Sequence, residues 1–396
     1  MKQDAVNKVH YFDDKQAVVY FNPIKKYDNN KVEKKDNVVI IILESFSYDY
    51  VSSLSGQKGY TPFLDSLISH SLVFDNAFAN GKRSIEALPA LFASIPNLLN
   101  ESYITSQYSS NQICGLPKAL QNHGYTTSFF HGGRNGTMGF DNFCKAAGIE
   151  QYFGMNEYSG PAAYDGDWGI RDEEFLQFYA HKLDSFKQPF FSSVFTLSSH
   201  EPYTVPDKYK KRFTGGALPI YKSIQYADYS LSRFFKTISK TEWYKHTLFI
   251  ITADHAAQEE DYEHKKRIDL FRIPIIFFHP SDTHLVGRNH CVVQQADVMP
   301  SVLDYLNVKG LYVCFGNSVF DSTAAHFAIQ YLGGTYSIVE QNATLNFDGE
   351  RVVESSCVQK QNVKLEQPLC VQLEHHLKSV IQQFNARLID NKMIAK

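Results

Sequence analysis

Residues 37–43 read NVVIIIL, a continuous β-branched run with no alternation of apolar and polar positions. A strand covered on one face alternates; a strand covered on both faces does not, so this run predicts a central parallel strand. Similar short runs recur at 126–130, 190–197, 247–252 and 273–278. Helical patterns lie between them at 61–71, 84–94, 116–122, 172–186 and 222–240. Strands alternating with helices over most of the chain predict an α/β fold with a doubly wound, mostly parallel sheet flanked by helices.

Past a short helix at 297–303 the pattern changes. Residues 327–373 read as β-rich, with strands at 335–339, 344–347 and 351–353 set off by Asn, Asp and Gly turn signals, and a last helix at 374–387. This part is either a small C-terminal subdomain or an extension of the main sheet. The expected division is an N-terminal linker region at 1–36, a catalytic domain at 37–310 and a C-terminal α+β subdomain at 311–396. Residues 25–36, polar and rich in Lys and Asn, are expected to form the linker that would follow a membrane anchor lying upstream of this sequence.

A chain of 396 residues with 43% hydrophobic and 14% aromatic side chains can bury a substantial core. Its formal net charge of −3 leaves no basic stripe of the kind that phosphate backbones require, which excludes nucleic acid as a partner. The six cysteines contain no CxxC and no zinc-finger spacing. Cys357 and Cys370 are close enough in sequence to staple a hairpin, but a domain of this size does not need the bridge, and buried free thiols are expected instead. The first eleven residues hold no apolar targeting segment, and the longest aliphatic run is too short to cross a bilayer.

The chemistry gathers where the apolar runs end. Glu44 follows the first run in ILESFS, His200 closes TLSSHEP, the pair Asp254-His255 ends FIITADHAAQ, and Ser84 precedes a helical pattern in GKRSIEALP. Ligands in such places lie at the carboxyl edge of the sheet, where open α/β folds build their sites. Carboxylates with one imidazole suit zinc, manganese or another divalent ion, and a serine hydroxyl beside such an ion is acidified into a nucleophile. Each residue also has a structural reading. Ser84 is a candidate helix N-cap, with Ala87 where a capping box would place Glu or Gln. Glu44 is equally a strand-end charge, and His200 a loop histidine. Asp254-His255 is the hardest to explain without a partner, because a carboxylate at the end of a buried strand must pair with something. His264, nine residues beyond His255, is a candidate second-metal ligand or a surface histidine among Lys265, Lys266 and Arg267.

Several strings stand in a family's order: LESFS, YTPFLDSL, NGKRSIEALPALFASIP, FHGGRNGTMGFDNF, WGIRDEEF, QPFFSSVFTLSSHEPYTVP and TADHAAQ. On these the chain resembles the extracytoplasmic domain of the lipoteichoic acid synthase and phosphoglycerol transferase group of sulfatase-like enzymes, in the alkaline phosphatase superfamily. The resemblance covers roughly residues 37 to 310. It implies an alkaline phosphatase-like fold and one divalent metal ion, manganese or zinc with magnesium as a further option, held by Glu44, Ser84, Asp254 and His255. Ser84 matches the nucleophile, His200 the histidine that contacts the phospho-group, and His131 of FHGG another pocket histidine. Arg83 and Arg134 are the expected substrate-binding cations. The implied reaction moves a phosphoglycerol or phosphoethanolamine head group from a phospholipid donor to a glycan or lipid acceptor, outside the cytoplasm, by a membrane-anchored protein.

Three departures refine that picture. The family's nucleophile is usually threonine, so Ser84 keeps the hydroxyl and loses the methyl that restricts its rotamer. Residues 133–141 lack the Asp, Trp and Arg with which lipoteichoic acid synthases grip glycerol phosphate and offer Arg134, Asn135 and Met138 instead. Glu86 and Leu88 occupy the places where a sulfatase would carry its formylglycine context, which argues against sulfate-ester hydrolysis. The alternatives to a transferase are a phosphodiesterase and an inactive member that binds lipid or glycan.

Overall fold

The computed structural model describes residues 6–28, 30–257, 266–341, 343–357 and 366–395. In chain order its first half contains α1 (Asp14–Tyr20), β1 (Ile24–Tyr27), β2 (Asn37–Leu43), α2 (Ser52–Ser55), α3 (Pro62–Ile68), β3 (Leu72–Phe78), α4 (Ala87–Ala93) and α5 (Leu116–Gln121). Then come β4 (Thr126–His131), α6 (Phe140–Ala147), β5 (Gln151–Phe153), α7 (Asp172–Leu183), β6 (Phe190–Phe195), α8 (Ile220–Ile238) and β7 (Thr247–Ala253). The remainder holds β8 (Ile275–Phe278), β9 (Gly287–Gln294), α9 (Val298–Tyr305), β10 (Gly310–Val313), β11 (Phe327–Leu332), β12 (Thr335–Glu340), β13 (Ala343–Phe347), β14 (Val352–Cys357) and α10 (Glu366–Ile389). None of the described helices is long and apolar enough to cross a membrane.

The chain folds as two compact units, one built from 1–34, 78–119 and 291–396, the other from 35–77 and 120–290. The second carries the large sheet, in the order β5-β4-β6-β2-β7-β8-β3-β9, with β3 and β9 running across the unit boundaries. Strand β2 is central, parallel to β6 on one side and β7 on the other. All seven of its residues are buried, as a β-branched run covered on both faces requires. The run ending at Phe278 breaks the parallel pattern: β8 lies antiparallel to both β7 and β3. An apolar run reports burial and not direction, so the sequence pattern could not tell these apart.

Helix α8 buries Ile220, Ile224, Ala227, Leu231, Phe234 and Ile238, one stripe at helical spacing. Against it lies α7, with the rings of Tyr179 and Phe234 stacked at 5.4 Å and Thr237 Oγ1 donating to Gln177 Oε1 at 2.7 Å. Asp228 of α8 faces the start of α3, where its two oxygens accept the Phe63 and Leu64 amides at 2.9 and 3.0 Å. Burial pushes this carboxyl up to about 7 against the pull of those amides.

In the first unit β11 to β14 form a separate four-stranded antiparallel sheet, which settles the C-terminal region as a layer of its own. Helix α10 packs on this sheet and begins well before the expected residue 374. The expectation of free thiols at Cys357 and Cys370 is corrected: they form a disulfide that joins the end of β14 to the first turns of α10. It ties a strand to a helix and does not staple a hairpin. Reasoning from what a large domain needs missed it, because a disulfide forms wherever the fold brings two thiols to bonding geometry. Cys114, Cys144, Cys291 and Cys314 are not in disulfides.

The stretch expected as linker is partly structured. Residues Ile24–Tyr27 pair antiparallel with β10, and Ser379 of α10 donates to the Ala17 carbonyl of α1. Lysines prevail in β1 because it is half-exposed, alternating exposed and partly covered positions. A polar composition suits an edge strand as well as a linker.

Candidate metal centre

The centre is built on two neighbouring strand ends. Strands β2 and β7 are parallel and in register to their last pair, Leu43 opposite Ala253, so Glu44 and Asp254 emerge side by side at the carboxyl edge. His255 follows directly. One ligand atom from each of Glu44, Asp254 and His255 lies within 4.8 Å of the others. His255 Nε2 is 3.3 Å from Asp254 Oδ2 and 3.9 Å from Glu44 Oε1. The two carboxylates are buried, Glu44 at 4% and Asp254 at 1% exposure.

Local backbone geometry holds the group together. Ser45 takes a left-handed φ of 60°, a conformation that costs a non-glycine residue about 1–2 kcal/mol. In return its amide donates to Asp254 Oδ1 at 2.7 Å and its hydroxyl to Glu44 Oε1 at 2.7 Å. The His255 amide donates to the same Asp254 Oδ1 at 2.7 Å. The Glu44 amide is tied to Thr196 Oγ1 at 2.9 Å, and its carbonyl accepts the Ser199 hydroxyl at 2.5 Å.

The donor set fits a divalent cation. His255 Nδ1 lies 3.1 Å from the Ala256 carbonyl, which can only accept, so Nδ1 carries a proton and the neutral ring turns the Nε2 lone pair toward the carboxylates. A lone pair and two buried carboxylates then converge on one small volume. A bound cation is what makes such an arrangement favourable. Oxygen and imidazole ligands together suit zinc or manganese.

Two further histidines line the same edge. His200 stands in the turn after β6, its amide bonded to the Leu197 carbonyl at 3.0 Å and its Nδ1 3.0 Å from the Glu201 carbonyl. The proton again belongs on Nδ1, leaving Nε2 to act. His131 ends β4 with Nδ1 3.3 Å from the Phe195 carbonyl, in a three-ring cluster with Phe140 and Phe195. Burial lowers it to about 4, with His200 adding to the effect, so at neutral pH it is uncharged. Gly133 passes so close that a Cβ there would lie 2.8 Å from His131 Nε2, which explains the glycine in FHGG. Arg134 is exposed on the following turn, its carbonyl accepting both the Thr137 amide and hydroxyl.

Ser84 and Arg83 belong to the first unit. Ser84 opens a 3₁₀ turn, Ser84–Glu86, that leads into α4, and is 8% exposed. It is not the N-cap expected from the helical pattern: Arg83 caps that turn and Glu86 precedes α4. The Arg83 guanidinium pairs with Glu86, its Nε donating to Oε1 at 2.6 Å, and its side chain stays half-exposed. Glu86 also accepts the amides of Lys82 and Arg83 at 2.7 and 3.0 Å and the Asn97 amide group at 3.0 Å. A Cβ at Gly81 would lie 2.3 Å from Glu86 Oε2, so only glycine lets this loop close over the carboxylate. In the sequence Glu86 stands out only as a departure from a sulfatase context, and no local pattern marks this role. His264 lies outside the described residues.

Comparison with known proteins follows the same lines. The profile of the family described as Sulfatase matches residues 36–308. A lipoteichoic acid synthase-like protein of Bacillus subtilis, YvgJ, is 26% identical over 77% of this chain and 53% of its own length. Lipoteichoic acid synthase 1 of the same organism is 27% identical over 78% of this chain and 52% of its own. The chain spans about half the length of the curated relatives it matches. Among solved structures, a protein in the alkaline phosphatase superfamily from Vibrio parahaemolyticus aligns with TM-score 0.83 and 20% identity over 97% of this chain and 98% of that one. The lipoteichoic acid synthase LtaP from Listeria monocytogenes aligns with TM-score 0.76 and 18% identity over 96% and 99%. These structural likenesses establish the fold.

Proposed function

Because the chain belongs to the Sulfatase family, with lipoteichoic acid synthases among its relatives, we propose that it is a metal-dependent phosphotransferase acting on phospholipid head groups. The observation that carries this reading is the convergence of Glu44, Asp254 and His255 at the carboxyl edge of the sheet. The donor is a phosphoglycerol or phosphoethanolamine lipid, the acceptor a glycan or lipid, and the setting extracytoplasmic on a membrane-anchored protein. The domain reading of 1–36, 37–310 and 311–396 belongs to the same proposal.

Glu44, Asp254 and His255 would hold the ion, with Ser84 as fourth ligand on the family pattern. A divalent ion there supplies charge stabilisation to a phosphoryl group and acidifies a neighbouring hydroxyl. Ser84, having released its hydroxyl proton to solvent, attacks the phosphodiester phosphorus through Oγ, forming a P–O bond as the bond to the diacylglycerol oxygen breaks. A His200 protonated on both ring nitrogens would deliver the Nε2 proton to that leaving oxygen, its Nδ1 facing the Glu201 carbonyl. The acceptor hydroxyl then attacks the phospho-Ser84 ester, gives up its proton to His200, and Ser84 Oγ departs. His131, neutral and buried, offers a hydrogen bond and no charge. Arg83 and Arg134 are the substrate-binding cations in this reading.

Ser84→Ala is expected to abolish turnover of a chromogenic phosphodiester while thermal unfolding stays at the wild-type temperature, and Ser84→Thr to retain activity. Wild-type turnover by Ser84→Ala would place the nucleophile elsewhere. Release of only free phospho-head group in the presence of glycan acceptors would recast the protein as a phosphodiesterase.

A further inference from the structure

The segment leading from β5 into the first residue of α7 grips the His200 turn at two points, one on each side of the histidine. Before it, Asp172 is 2% exposed and accepts the Leu197 amide at 2.8 Å and the Ser198 amide at 3.1 Å. Ser198 Oγ returns the bond by accepting the Asp172 amide at 2.9 Å. After it, the Trp168 indole N–H donates to the Glu201 carbonyl at 2.6 Å. That carbonyl is the one His200 Nδ1 approaches. The indole ring itself lies 4.1 Å from the imidazole, centroid to centroid, tilted by 52°.

The gripping segment is itself anchored. Asp165 Oδ1 accepts the amides of Asp167, Trp168 and Gly169 at 2.8, 2.8 and 3.0 Å. Gly169 forms an isolated bridge with Gly133, and the Ile170 amide donates to the Gly132 carbonyl at 2.9 Å. A Cβ at Gly169 would lie 2.2 Å from that carbonyl, so the close approach depends on glycine. The clamp therefore hangs from the end of β4, beside His131.

The geometry points to Trp168 and Asp172 as positioning residues for His200: Asp172 sets the backbone of the turn, and Trp168 sets the ring. With Glu201 O shared between the indole and Nδ1, the imidazole is held in one tautomer and one orientation, Nε2 outward. Each residue acts through His200 and not on the substrate. The inference rests on the proposed role of His200 in phosphoryl transfer, and its test is designed to separate the two.

Trp168→Ala removes the indole bond and the stack; Trp168→Phe keeps the ring and loses the N–H. Misplacing a catalytic group by about an ångström costs on the order of 100-fold. Turnover of bis(p-nitrophenyl) phosphate by Trp168→Ala is expected to fall in kcat by roughly 10- to 100-fold with KM little changed, and by Trp168→Phe less. In a His200→Ala background the same Trp168→Ala change is expected to have almost no effect, because residues acting as a unit are not additive. Equal losses in both backgrounds would overturn the inference and make Trp168 an independent contributor. Asp172→Asn retains one acceptor and should follow the same non-additive pattern, with thermal unfolding reporting whether the fold survives.

If the wild-type chain does not turn over the diester, or His200→Ala matches it, the phosphotransfer reading fails and the positioning claim is decided by NMR. The His200 Cε1–H resonance, shielded by the adjacent indole, should shift in Trp168→Ala and move or broaden in Asp172→Asn. An unchanged resonance in both variants sinks the claim regardless of activity.

Discussion

The second unit holds buried carboxylates of two kinds. Asp172 and Asp228 each accept two backbone amides, the first gripping the turn after β6 and the second the start of α3. Burial raises them to about 6 and about 7, so either can take a proton without leaving a stranded charge. Glu44 and Asp254 instead face one another and a histidine lone pair at the sheet edge. The amides that hold Asp254, from Ser45 and His255, both bind Oδ1, while Oδ2 is the oxygen 3.3 Å from the imidazole. A carboxylate facing amides fastens the fold. Carboxylates facing each other call for a cation, and that difference in what surrounds them separates a structural acid from a ligand.

The comparison breaks most readily on metal content. Glu44→Ala or Asp254→Ala should lower metal affinity by more than about 100-fold, since even residues behind the ligands account for 10- to 100-fold. Asp172→Asn and Asp228→Asn should leave elemental analysis at the wild-type value. Equal metal loss in Asp228→Asn and Asp254→Ala would erase the distinction.

Chelation should come next in size. A ligand at 100 times its dissociation constant stabilises by about 2.7 kcal/mol, so stripping the ion should lower the unfolding temperature by several degrees, and manganese or zinc should restore it. Glu44→Ala should show no such response. A wild-type chain indifferent to chelator would leave the carboxylate pair without its counter-charge.

A subtler contrast lies in pH. Asp228 binds its proton more tightly folded than unfolded, its carboxyl raised from 3.8 to about 7. That contribution is fully present below pH 4 and is lost as pH rises through 7. Asp228→Asn, which cannot ionise, should therefore gain on the wild type in unfolding temperature between pH 4.5 and 7.5. A constant difference across that window would show that the carboxyl titrates normally.

The smallest effect on the centre should come from the far side of the sequence. Replacing Cys357 and Cys370 by serine removes a disulfide closing a short loop, a change worth on the order of 3 kcal/mol. Metal content should not move, because neither cysteine is among the proposed ligands.

Much of the parallel core could be read in the chain. The run 37–43 coincides with β2, and the patterns at 126–130, 190–197 and 247–252 fall on β4, β6 and β7. Burial on both faces leaves a compositional mark that local sequence carries. Strand β3, in which covered and half-covered positions mix, left no such mark and was missed. The roles of Trp168 and Asp172 were hidden for a different reason. WGIRDEEF was legible as a family string, but the partners of Trp168 and Asp172 are backbone groups about 25 to 33 residues away, and no spacing rule links them.

By itself the sequence determined which residues end buried strands, because apolar runs and the charged residues that close them are local facts. Local pattern therefore named Glu44, Asp254 and His255, and only the family resemblance put them on one ion. Tertiary structure decided that β2 lies beside β7 in matched register, which brings two carboxylates about 210 positions apart into one cluster. It also decided that Arg83 turns to Glu86, that Cys357 reaches Cys370, and that β8 runs antiparallel. Strand order, direction and pairing are set by how layers pack over a shared core, a global energy to which no single segment holds the key.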